Sequence, residues 1–199
     1  SETKDPTRVN PHLKKAFEGI QALEFQPDAK ITAMLSPERE KVNLATIVDP
    51  VKARGSVELW LREVEAAMLE TVRHVTLQSH EDYAGRRFTE WLKCWPGQVV
   101  IAIFSLYWTA EVSSGLRSEG SAGVRRYAGK LEQQLLEIIE LVRSDIPPLV
   151  RCTLEALIVV FVHNKDTVAE LARLGTEREA DFDWLVQMRY YVEENPERP

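Results

Sequence analysis

Residues 95–111 read WPGQVVIAIFSLYWTAE, and the fold turns on whether this stretch is strand or helix. Val99, Val100, Ile101, Ala102, Ile103, Phe104, Leu106, Tyr107 and Trp108 make it apolar almost all the way round, with Gln98 and Ser105 as polar interruptions. The β-branched residues between Val99 and Ile103 would suit a buried strand. Length and flanks decide for helix. The run is long for a strand, which usually has about 5–6 residues. Pro96 suits a first helical position, where its missing N–H costs nothing. A helix that is apolar on every side would expose a large patch if any side met water. The stretch therefore predicts a buried helix over roughly 96–116, wrapped by amphipathic ones.

Working towards the amino terminus, Phe88, Trp91 and Leu92 predict a short helical piece, preceded by a break over 81–87. Ser56 can cap a long helix with Glu58 in its first turn and Trp60, Leu61, Val64, Met68, Val72 and Val75 as its stripe, to about Gln78. Residues 49–54 form a connector. Lys30 to Leu35 alternates, Ser36-Pro37-Glu38-Arg39 reads as a turn, and Glu40 to Leu44 returns, a β-hairpin over 30–44. Asn10-Pro11 reads as a helix start, with Leu13, Phe17, Ile20 and Leu23 on one face, and 1–9 as an irregular lead-in. Working towards the carboxyl terminus, 115–123 (GLRSEGSAG) reads as a flexible loop. Val124, Ala128, Leu131, Leu135, Ile138 and Val142 then form a heptad-like seam, better suited to a bundle core than to a coiled coil. Pro147-Pro148 separates that helix from a long one over 149–174, with Gly175 as its C-cap. Thr176-Glu177-Arg178-Glu179 fits a capping box opening a last helix to about Met188, and Asn195-Pro196 ends regular structure. The predicted fold is mainly α: one piece over 1–199, an elongated bundle of stacked long helices with one small β-hairpin near the amino terminus.

Composition narrows function. With 25 basic and 31 acidic residues the formal charge is −6, which disfavours a nucleic-acid binder. Cys94 and Cys152 lie far apart without metal-type spacing and read as free thiols, Cys152 as a packed small hydrophobe. No uncharged run reaches the roughly 18 residues of a membrane span, and 1–8 is too polar for a signal peptide. Gly129-Lys130 is followed by Leu131, and position 124 is Val, so no phosphate-binding loop is present and no ATP site is expected. His74 and His80 are six apart, with Glu81 and Asp82 beside them; zinc on one helical face needs a spacing near four, so solvated side chains are expected and no metal. His163 with Asp166 lacks a nucleophile, and His163 reads as a buried, bonded histidine. No catalytic constellation and no cofactor site emerge.

Four stretches carry a resemblance that spans the chain. Trp95-Pro96-Gly97-Gln98-Val99-Val100 followed by Trp108-Thr109 resembles the segment of dynein heavy chains just before their AAA+ ring. Thr3-Lys4-Asp5-Pro6-Thr7 with Pro11-His12-Leu13-Lys14-Lys15 and Phe17-Glu18-Gly19-Ile20 resembles the axonemal subgroup. Ile31 to Val42 resembles the hairpin of the linker, although the family usually carries Gly where this chain has Arg39. Phe182-Asp183-Trp184 with Gln187-Met188-Arg189-Tyr190-Tyr191 resembles the end of the linker, where the chain enters the ring.

The resemblance implies a mechanical rather than catalytic role. The chain would be the carboxy-terminal half of a linker, the lever that carries ATP-driven change in the ring to the tail of a microtubule motor. Residues 176–199 would lead into the ring, with Phe182, Trp184, Arg189, Tyr190 and Tyr191 as docking and coupling candidates. The implied partners are the ring of the same heavy chain and, through the parent motor, intermediate and light chains and the microtubule, in the cytoplasm, the cytoskeleton and the ciliary axoneme. No nucleic acid or membrane partner is expected. The alternative is an independent helical scaffold that receives a partner helix in an open groove.

Overall fold

The computed structural model describes residues 6–53 and 56–192. The expectations for 1–5, Arg54 and Asn195-Pro196 lie outside these residues. The chain gathers into two compact units, Ser1–Glu81 and Asp82–Pro199.

In the first unit, a 3-10 helix at Pro6–His12 leads into the single turn of α1 (Leu13–Ala16). The expected helical face through Leu13, Phe17, Ile20 and Leu23 is corrected. Phe17 already has extended backbone, and Leu23 lies on a strand, β1 (Ala22–Phe25). Asn10 does not cap a helix. Its amide closes the outer edge of β1, Nδ2 donating to the Leu23 carbonyl at 3.3 Å and Oδ1 accepting the Leu23 N–H at 3.0 Å. One donor and one acceptor on one side chain stand in for a neighbouring strand.

The expected hairpin is present but belongs to a three-stranded antiparallel sheet in the order β1-β2-β3, with β2 at Ile31–Leu35 and β3 at Lys41–Val48. Both connecting turns hold a non-glycine residue in the left-handed region, Ala29 at φ 64° and Arg39 at φ 67°. Ser36 organises the second turn, its Oγ accepting the N–H groups of Glu38 and Glu40 at 3.2 Å. The long helix α2 (Val57–Tyr83) covers the sheet, and Thr71 Oγ1 accepts the Ala45 N–H of β3 at 2.9 Å. Leu13, Leu23, Ile31, Met34, Leu44 and Val48 pack with Trp60, Val64, Ala67 and Met68 of α2 into one core. α2 outlasts the expected end at Gln78, so the break comes after Tyr83. Its buried stripe turns through Ala67 and Thr71, which leaves Val72 about half exposed.

In the second unit, a one-turn helix, α3 (Phe88–Trp91), precedes three long ones: α4 (Gly97–Glu119), α5 (Ser121–Arg143) and α6 (Pro148–Leu174). The opening stretch is helical and central as expected. Val100, Ile103, Phe104, Trp108 and Val112 are fully or almost fully buried. Phe104 stacks on Phe161 of α6 at 5.0 Å between centroids, with Phe88 against both. Helix continues past the apolar run to Glu119, which makes α4 long and apolar enough to cross a bilayer by length and composition, yet 61% of that window is buried inside the protein.

The expected flexible loop at 115–123 is instead two helix ends and one connecting residue. Gly120, at φ 59° and ψ −138°, is all that separates α4 from α5. The flanking glycines serve packing, since a Cβ on Gly123 would overlap the carbonyl of Gly115. The α5 seam is shifted to Val124, Tyr127, Leu131, Ile138 and Leu141. On α6 the buried positions are Leu154, Leu157, Phe161, Asn164, Val168 and Leu171. That register turns Cys152 and His163 outward, so both are exposed, against expectation. α6 ends at Gly175 in the left-handed conformation (φ 71°), as the sequence predicts.

Candidate functional site

The carboxy-terminal segment is laid onto α4 and α6 by a short chain of local decisions. Gly175 N–H bonds back to the Ala172 carbonyl and Thr176 N–H to the Leu171 carbonyl, so the α6 C-cap consumes the residue expected to open a capping box. Thr176 is buried, and Glu179 reaches away to Arg117 of α4 at 3.4 Å. The last helix is therefore only one turn, α7 (Phe182–Leu185), rather than 176–188. Asp181 stands at its N-cap, and its carboxylate folds back to accept the N–H groups of Glu177 at 3.0 Å and Arg178 at 2.9 Å. Those two backbone bonds hold the Asp181 carboxyl below its ordinary pKa, helped by the Arg178 side chain. Glu177 is likewise lowered, chiefly because its carboxylate accepts bonds from the Ser121 hydroxyl and N–H at the start of α5.

The five candidate residues do not share one fate. Trp184 is completely buried, tilted against Trp108 of α4 at 5.4 Å. Trp108 Nε1 donates to the Asn164 carbonyl of α6 at 3.2 Å, so the two indoles join α7, α4 and α6. Trp184 is core, not free surface. Tyr190 ties the chain down a second time, its N–H donating to Thr109 Oγ1 at 3.0 Å, while its ring stays partly exposed. Arg189 lies over the rings of Trp184 and Tyr191, at 5.9 Å and 6.0 Å from their centroids. Phe182, Met188 and Tyr191 are 75%, 74% and 64% exposed, and Leu185, Val186 and Val192 extend this apolar surface. A run of large exposed side chains on a well-anchored segment is a surface suited to contact. Beside it, a groove of about 300 Å³ has Leu171, Leu174 and Val186 as apolar walls and Asp166, Glu170 and Asp183 as carboxylates.

Sequence reasoning named Thr109 and Glu177 only within motifs and passed over Ser121, and it foresaw none of their bonds. Each acts on a partner more than fifty residues away, and spacing patterns carry no such information. Among the described residues no group of three or more His, Cys, Asp or Glu could hold a metal ion.

Comparison with known proteins decides the family. A family model described as dynein heavy chain, N-terminal region 2, matches residues 1–79. Dynein axonemal heavy chain 12 of Homo sapiens is 45% identical over 97% of this chain. The chain belongs to the dynein heavy chain family. Dynein axonemal heavy chain 3 of Mus musculus is 44% identical over 96% of the chain, and dynein axonemal heavy chain 1 of Rattus norvegicus 42% over 98%. The chain spans only 6%, 5% and 4% of these three dyneins. The aligned stretch takes in both units and runs through the α4 tryptophan segment and α7.

Proposed function

We propose that the chain works as the carboxy-terminal half of the linker of an axonemal dynein, part of a lever that passes ATP-driven change in the ring to the rest of the motor, and that it is not itself catalytic. The observation that carries this reading is the double attachment of the 182–192 segment to α4, by Trp184 packed on Trp108 and by the Tyr190 N–H on Thr109. Load applied beyond residue 192 would enter a packed block of three long helices through these two points. The exposed Phe182, Tyr190 and Tyr191 would contact the ring of the same heavy chain, and cytoskeletal, ciliary localisation would follow from the parent motor. The alternative of a scaffold that receives a partner helix rests on the groove beside α7.

Trp184→Ala is a poor test, because emptying so large a buried site costs about 3–5 kcal/mol and confuses uncoupling with misfolding. Thr109→Val removes, at near-constant size, the acceptor for Tyr190 and the hydroxyl's own bond to the Ser105 carbonyl, and should cost about 1–3 kcal/mol. In a full-length motor this variant is expected to retain microtubule-stimulated ATPase while gliding slows. Gliding that stays in step with ATPase would defeat the lever reading of this segment.

A further inference from the structure

Helix α5 begins without a cap of its own. Its N-cap is Gly120, which has no side chain to accept the first free N–H groups. The acceptor arrives from 56 residues along the chain: Glu177 Oε2 accepts the Ser121 N–H at 3.2 Å, and Oε1 accepts the Ser121 hydroxyl at 2.7 Å. Ser121 Oγ in turn accepts from Arg125 at 3.3 Å. A Cβ on Gly120 would overlap this carboxylate, so the glycine both makes the turn and clears the space.

The backbone of Glu177 faces the other way. Its N–H is held by Asp181, the residue that begins α7. One residue thus caps α5 with its side chain and helps build the start of the 182–192 segment with its main chain. The first turn of α5 also contains Gly123, whose contact with Gly115 sets how closely α4 and α5 approach.

We propose that Glu177 couples the two places: when the 182–192 segment leaves α4, the carboxylate is withdrawn and the first turn of α5 frays, and loss of the cap loosens the segment in return. Such coupling is reciprocal by thermodynamic necessity. It is a property of this chain and holds whether or not the lever reading stands.

Amide hydrogen exchange on the whole 199-residue chain tests it. Thr109→Val, on α4, removes the bond to the Tyr190 N–H and leaves the atoms of the Glu177–Ser121 contact unchanged. The expected result is exchange about 2–10-fold faster at 121–126 as well as at 186–192, the scale of a lost cap. Glu177→Ala should produce the same acceleration at 121–126 and a faster 182–192 segment. Combining the two should add nothing further at 121–126, because both act through one contact. The proposal is overturned if Thr109→Val leaves 121–126 at the wild-type rate, or if the two effects multiply in the double variant. A uniform rise throughout α4, α5 and α6 overturns it too, since the effect would then be global.

Discussion

Arg39 shows how one position can be both legible and costly. At φ 67° it occupies a conformation in which an L side chain crowds its own backbone. The turn at 36–39, and the family's usual Gly there, mark the position from sequence. Arg39→Gly is expected to be neutral or stabilising by up to about 1 kcal/mol, since relief of the side-chain strain is partly offset by the freer unfolded chain. Urea denaturation would show it; a clear loss of stability would mean that Arg39 makes a contact worth more than its strain. Ala29, at φ 64°, was not legible in this way, because nothing in its type asks for that conformation. Asn10 was legible as a polar residue before Pro11 but not as the clasp on β1, because its partner Leu23 lies thirteen residues away.

At the scale of elements, periodicity located the long helices well and misjudged where they stop. Apolar spacing reports which side of a helix is covered and says little about its ends, which depend on individual bonds. The Gly-rich 115–123 stretch was misread because composition does not distinguish a glycine that bends the chain from one that admits a neighbour. Gly120 does the first; Gly115 and Gly123 do the second. Three substitutions probe the packing along α4 and α5, and thermal melting of the isolated chain measures them. Gly123→Ala should destabilise by about 1–3 kcal/mol through overlap with the Gly115 carbonyl, despite the better helix propensity of Ala. Gly129→Ala, on the same helix with open space around it, should stabilise by about 0.5–1 kcal/mol. Ile103→Ala, fully buried on α4, should cost about 2–5 kcal/mol. Equal effects at Gly123 and Gly129 would remove the case for a close crossing.

At the scale of the molecule, family membership was legible because the matching segments are spread over the length of the chain, from Pro11-His12-Leu13 to Gln187-Met188-Arg189. Which of the clustered aromatic residues is buried was not legible, since aromatic residues clustered in sequence do not reveal which turn inward. Trp184 does, because α7 is one turn long and sets that single position against Trp108. The absence of a phosphate-binding loop leads to a further expectation: calorimetric titration of the chain with Mg-ATP should yield no saturable heat, and specific micromolar binding would contradict it.

The single residue between α4 and α5 also matters for how the protein is made. As it leaves the ribosome, α4 carries the length and apolarity by which targeting machinery selects membrane anchors. The next helix to be synthesised, α5, is joined to it by Gly120 alone, and α6 then completes the cover through Phe161. Pairing between sequence neighbours is also fast. A longer tether at Gly120 would lengthen the interval in which α4 stands without α5 against it.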